Sequence, residues 1–146
     1  VEKKSVLTLS QTAGYAIMAL SCLDPNGEEF IQEQSIADKT GISKPYLSKL
    51  IHKLSQAGIL KGKRGYKGGI IFASDAKSIT MMDVVDAIEG TEWRSKCLLG
   101  LPTCSCNKPC PVHEFWGKQR PKIEKVLNTL TFDQVIQKKD VNWTLL

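Results

Sequence analysis

Between Thr40 and Phe72 the chain is punctuated so closely that few folds can accept it. Thr40-Gly41 closes a short helical run around IQEQSIADKT. Ser43 then stands as the N-cap of a second run, KPYLSKLIHKLSQAG, with Pro45 in its first turn, where a missing N–H costs nothing. Leu47, Leu50, Ile51 and Leu54 fall on one face of that helix, and Gly58 ends it. Lys44, Ser48, Lys49, His52, Lys53 and Gln56 occupy the opposite face. Two short extended runs follow, GILKG and GGIIFA, joined by KRGYKG, which spells a hairpin with a flexible basic tip. Short helix, tight turn, basic-faced helix and glycine-rich hairpin, in that order, predict a helix-turn-helix carrying a wing.

Charge narrows the partner. The 146 residues carry a net charge of +5, but the distribution says more than the total. From Lys39 to Ser74 there is no Asp or Glu, while Lys39, Lys44, Lys49, Lys53, Lys61, Lys63, Arg64 and Lys67 all fall inside that window. An isolated charge run is usually a solvated face, whereas cations without an intervening acid point to a polyanion. The helix-turn-wing order favours duplex DNA over RNA or a membrane surface. The expected contacts are Ser43, Lys44, Pro45, Tyr46, Ser48, Lys49, His52 and Lys53 on the second helix, with Lys63, Arg64, Tyr66 and Lys67 on the wing. Tyr46 reads equally well as a packing residue, and His52 as a solvated or phosphate-facing side chain rather than a metal ligand.

The remaining elements follow from the same periodicities. SQTAGYAIMALSCL predicts a helix capped by Ser10, with Ala13, Ala16, Ile17 and Leu20 inward, and DPNGEE breaks it. ITMMDVVDAIEG predicts another, capped by Thr80, with Met81, Val84, Val85 and Ile88 on one face. A last amphipathic stretch carries Phe115, Trp116, Ile123, Leu127 and Leu130, with Pro121 inside it, so a kink or a restart is expected near Gly117. The fold class expected is mainly α with a small β-hairpin wing. Residues 7–90 would form the winged domain, 91–111 a cysteine-rich loop, and 112–138 a dimerisation helix and tail.

With 42% hydrophobic and 24% charged residues the chain reads as an ordinary globular protein without a membrane span. No export signal is expected at its start, which places its five cysteines in a reducing cytoplasm. Cys22, remote from the others, reads as a small core residue. No catalytic triad, paired-carboxylate site, phosphate loop or dinucleotide fingerprint stands out, so no enzyme is expected.

The stretch CLLGLPTCSCNKPCPVH, residues 97–113, concentrates Cys97, Cys104, Cys106, Cys110 and His113. In a reducing compartment such clustering is more often metal-binding or redox-active than structural. Zinc, a thiol switch and an iron–sulfur cluster all suit it, although the paired C-x-x-C knuckles common in zinc sites are missing.

LSQTAGYAIMAL, IADKTGISKPYLSKLIHKLSQAGILKGKRGYKGGIIFA and ITMMDVVDAIEG together resemble the Rrf-two family of bacterial winged-helix regulators, the IscR and NsrR type. The likeness covers about residues 7–136. It implies a homodimer joined by the C-terminal helix, bound to a double-stranded operator. It also implies an iron–sulfur cluster, 2Fe–2S or 4Fe–4S, held in the loop before that helix and reporting redox, iron–sulfur or nitric-oxide status. The family's three-cysteine pattern matches Cys97, Cys104 and Cys110, and His113 stands where IscR-like members place a fourth ligand. His113 reads equally as a residue capping or packing at the helix start. Cys106 has no place in the pattern and is an alternative ligand or a spare thiol. Gly14 stands where NsrR-like members carry a carboxylate ligand, and glycine cannot ligate. The alternatives left open are a cluster-free regulator with a thiol switch or structural zinc, and a redox carrier.

Overall fold

The computed structural model of the protein describes residues 9–95, 97–99, 107 and 109–138. Helix α1 (Gln11–Leu20) begins where the Ser10 hydroxyl accepts the Ala13 N–H at 3.2 Å. The four expected apolar positions are buried, and so are Met18 and Ala19, because α1 is covered on more than one side. In the DPNGEE turn the Asp24 carboxylate accepts the N–H groups of Asn26, Glu28 and Glu29 at 2.9–3.0 Å. The chain then enters α2 (Glu33–Thr40), which stops at Gly41 with φ of 76°. Cys22 is half-buried and packed against the core, and that burial raises its thiol pKa.

Helix α3 (Lys44–Gln56) buries Leu47, Leu50, Ile51 and Leu54, as the stripe predicts. Its end is a Schellman turn. Gly58, at φ 78°, donates to the Ser55 carbonyl, and Ile59 donates to Leu54, both at 3.0 Å. Its start differs from expectation, since Ser43 occupies the N-cap position but its hydroxyl makes no capping bond.

Strands β1 (Leu60–Lys63) and β2 (Gly69–Phe72) pair antiparallel, with Leu60 opposite Phe72 and Lys63 opposite Gly69. Ile31 pairs with Ile70 through bonds of 3.0 and 2.9 Å in the two directions, so the segment leading into α2 lies along the outer edge of β2. Gly69, at φ 144°, is what permits this approach, because a Cβ there would run into the Ile31 backbone.

Helix α4 (Met81–Glu89) starts with a capping box between Thr80 and Asp83. Its buried face is Met82, Val84, Val85 and Ile88. Met81, expected inward, is only partly buried. The stripe is wider than a single-sided pattern allows because α4 packs against α1, α3 and the later helix α5 at once.

Helix α5 (His113–Thr129) is unbroken through Pro121, so the restart expected near Gly117 does not occur. Proline there removes one donor, and its ring faces the carbonyl four residues back, at Gly117. A further helix, α6 (Phe132–Gln137), follows and was not foreseen. Met81 donates to Leu130 and Phe132 donates to Ile79, both at 2.9 Å, which draws the chain back beside the start of α4. Phe132 is fully buried, its ring 6.0 Å from that of Phe72. The result is a winged-helix fold with six α-helices and a two-stranded sheet among the described residues. No helix among them is long and apolar enough to cross a membrane.

Candidate nucleic-acid interface and cysteine site

The basic face of α3 and the wing tip are exposed together. Ser43, Lys44, Pro45, Ser48, Lys49, His52 and Lys53 are all exposed on α3 or at its cap. On the wing, Lys63, Arg64 and Lys67 are exposed, and Tyr66 stands out at 87% exposure. The tip is held by its own backbone, with Gly68 donating to Gly65 at 3.0 Å. A Cβ at Gly68 would strike the Lys63 carbonyl. Lys67 adopts φ of 54°, an uncommon value for a residue with a side chain, and its ammonium lies 5.7 Å from the centre of the Tyr66 ring. Lys63 sits over Phe30 at 6.0 Å.

Tyr46, Ser48 and Lys53 of the expected set make side-chain hydrogen bonds within the protein. Tyr46 is half-buried. Its ring meets Tyr15 edge-on at 5.6 Å, and its hydroxyl shares a 2.8 Å hydrogen bond with Thr12, so it fastens α3 to α1. Ser48 donates to the Glu33 carboxylate at 2.8 Å. Lys53 donates through Nζ to the Ile88 carbonyl at 2.8 Å, placing a cation on a free carbonyl in the last turn of α4. Glu33 is the residue that sequence reasoning missed. It lies ahead of the acid-free window in the chain, yet the fold sets it beside the basic face of α3.

In the cysteine-rich loop, Cys97 is buried and Cys110 half-buried, with their Sγ atoms 3.6 Å apart across thirteen residues of sequence. The Cys110 carbonyl accepts the His113 N–H at 3.0 Å, so the second thiol sits directly ahead of α5. Cys104 and Cys106 lie outside the described residues. Among the described residues no set of three or more His, Cys, Asp or Glu side chains converges to hold a metal. Two thiolates on one tetrahedral metal with bonds near 2.3 Å would lie roughly 3.8 Å apart, so the Cys97–Cys110 pair fits as two ligands of such a centre.

The family description "Iron-dependent Transcriptional regulator", for the Rrf2 family, matches residues 9–138. The chain belongs to this family. An HTH-type transcriptional regulator of Aquifex aeolicus is 29% identical over 132 residues, covering 89% of this chain and 92% of that protein. The regulator IscR of Escherichia coli is 26% identical over 136 residues, covering 92% of this chain and 83% of its own length. Among solved structures, CymR, the global cysteine regulator of B. subtilis, superposes with a TM-score of 0.78 at 26% identity, covering 92% of this chain and 99% of that one. IscR of T. potens superposes at 0.73 with 29% identity, covering 92% and 89%. The family consists of DNA-binding transcriptional regulators rather than enzymes, and this chain is one of them.

Proposed function

We propose that the protein is a homodimeric, cytoplasmic regulator whose cysteine site holds an iron–sulfur cluster and alters operator binding with the cluster's state. The observation that carries this reading is the Cys97–Cys110 approach of 3.6 Å directly ahead of α5. The family's iron-dependent description supports it. A bound cluster would supply an iron centre that responds to oxidants or nitric oxide. Cys97 and Cys110 would hold it from the two ends of the loop, with Cys104 as the third thiolate, Cys106 as its alternative and His113 as the fourth ligand. Lys44, Lys49, Arg64 and Lys67 would contact phosphates, while Pro45, Ser48 and His52 lie where an α3 seated in a major groove meets base edges. Ser43 and Lys63 would contact the flanking backbone, and Tyr66 would enter the groove beside the wing.

The dimer reading rests on the outer face of α5. Phe115, Ile123 and Val126 are 58%, 41% and 55% exposed on one helix, whereas most other large apolar side chains among the described residues are covered.

The same sulfur separation favours a second reading, a thiol pair that a peroxide closes to a disulfide. Both thiols give up their protons and one electron each, and the peroxide leaves as two waters. One set of experiments separates the two. Anaerobically prepared wild type should show a visible chromophore with stoichiometric iron and sulfide. Cys97→Ala and Cys110→Ala should each abolish it, and Cys22→Ala should leave it unchanged. A colourless protein that takes up neither iron nor sulfide, yet loses two thiols to peroxide, would establish the disulfide reading instead.

A further inference from the structure

The cysteine site and the recognition face are joined by two polar contacts that meet on α4. On the cysteine side, Arg94 lies in the short turn Glu92–Ser95, three residues ahead of Cys97, and pairs through Nη2 with Asp86 Oδ2 on α4. This pair is half made. Asp86 Oδ1 and Arg94 Nε are both buried and without a hydrogen-bond partner. Those are the two atoms that a side-on bidentate arginine–carboxylate pair would join. A small movement of the turn would convert this single contact into a double one. Trp93 lies in the same turn, its ring 5.9 Å from the Arg94 guanidinium and its indole N–H also buried without a partner. Leaving buried donors and acceptors unpaired is costly, so completing the pair would be favourable.

On the DNA side, Lys53 of α3 reaches back to the Ile88 carbonyl, one half-turn beyond Asp86. The Glu89 carboxylate accepts the Ser10 N–H at 2.6 Å, which ties the same end of α4 to the start of α1. A shift in how Arg94 grips Asp86 is thus delivered to the end of a helix on which α3 is fastened by a charged hydrogen bond.

We propose that Arg94 and Lys53 are positioning residues that carry the state of the cysteine site to the recognition helix, Arg94 by switching between single and double contact with Asp86 and Lys53 by holding α3 to α4. This rests on the sensing function proposed above, and it assigns Lys53 to that fastening instead of to a phosphate.

The test is a thermodynamic cycle on the full chain. The DNA is a duplex that the wild type selects from a randomised library. Affinity is measured for metal-free protein and for protein loaded anaerobically with ferrous iron and sulfide. The wild type should differ between the two states by about 5–150-fold, the usual span of coupling between sites. Lys53→Met and Arg94→Gln should each bring that ratio to within about twofold of unity, and Lys53→Arg should restore most of it. In metal-free protein, amide exchange at the C-terminal turn of α3 should quicken in Lys53→Met. A ratio unchanged in both variants, with only the melting temperature lowered, overturns the proposal and leaves these residues structural. Equal weakening in both states with a dimer's salt slope flattened by about 2 also overturns it, because Lys53 is then a phosphate contact in each protomer. No difference between the two states in the wild type defeats the sensing function itself, and a ratio present in the wild type and retained in every variant defeats only the coupling.

Discussion

Helices α3 and α5 are both amphipathic, yet they leave opposite faces to solvent. Helix α3 buries its four apolar residues within the chain and leaves a polar, cationic face outside. Helix α5 buries Leu127 alone and leaves Phe115, Ile123 and Val126 uncovered. A stripe that finds its partner inside the chain contributes to folding, and one that does not is available to another molecule. The apolar face of α3 is therefore satisfied within the chain, whereas α5 packs on one side against α4 and leaves its other side open. Backbone bonds from Met81 to Leu130 and from Phe132 to Ile79 follow its end, and His113 at its start donates to the Cys110 carbonyl.

The largest effect expected from this contrast is in the core. Phe132→Ala empties a fully buried ring site and should cost about 3–5 kcal/mol of stability by denaturant unfolding. Phe115→Ala, the same chemical change on the exposed side of α5, should stay within about 0.5 kcal/mol when unfolding is followed at a dilution that leaves the chain monomeric. A large loss at Phe115 under those conditions would mean that α5 is part of the folded core and not an interface.

Next in size is assembly. Ile123→Glu combined with Val126→Glu places two carboxylates where a partner would cover them, at a cost of several kcal/mol for burial without compensation. Wild type should sediment as a dimer at micromolar concentration and the double variant as a monomer, with unchanged far-ultraviolet spectra. A monomeric wild type removes the dimer reading.

The α3 side of the comparison is probed by salt. If a dimer neutralises roughly eight phosphates, the log–log dependence of operator affinity on salt should have a slope of about −7. Lys49→Ala removes one contact from each protomer, so it should flatten that slope by about 2 and weaken all duplexes alike. A salt-independent affinity would break the picture of the basic face.

These contrasts also explain what could be read in the sequence. Helix α3 and the wing were legible because residues with few conformational options mark their ends. Gly41 and Gly58 take φ of 76° and 78°, and Pro45 stands in the first turn of α3, where a missing N–H costs nothing. Thr80 with Asp83 marks α4 just as plainly, but the inward choice between Met81 and Met82 depended on how many neighbours α4 has, which periodicity does not carry. Helix α6 spans six residues, too few for a period to show, and its place is set by backbone bonds to Ile79 and Met81 far away in sequence. Glu33 escaped notice because linear charge windows do not report which segments the fold brings together. In the cysteine site, the approach of Cys97 to Cys110 is a tertiary fact that the loop's composition only permits.

The smallest effect belongs to the turn between α1 and α2. Burial alone would raise the Asp24 carboxyl pKa, but the backbone N–H groups of Asn26, Glu29 and Glu28 outweigh it and hold the group below its ordinary value of 3.8. A carboxyl whose folded value is depressed adds stability that is fully present above its unfolded value and is lost as pH falls through the folded one. Asp24→Ala should therefore lower the denaturant midpoint slightly at pH 6, and the gap from wild type should close as pH drops below about 3.8. Because the N–H groups on Asp24 all come from its own turn, that gap should not depend on protein concentration, unlike the assembly effect at α5. A difference that persists undiminished at pH 2, or one that scales with concentration, would show that Asp24 acts through packing or through the partner and not through its charge.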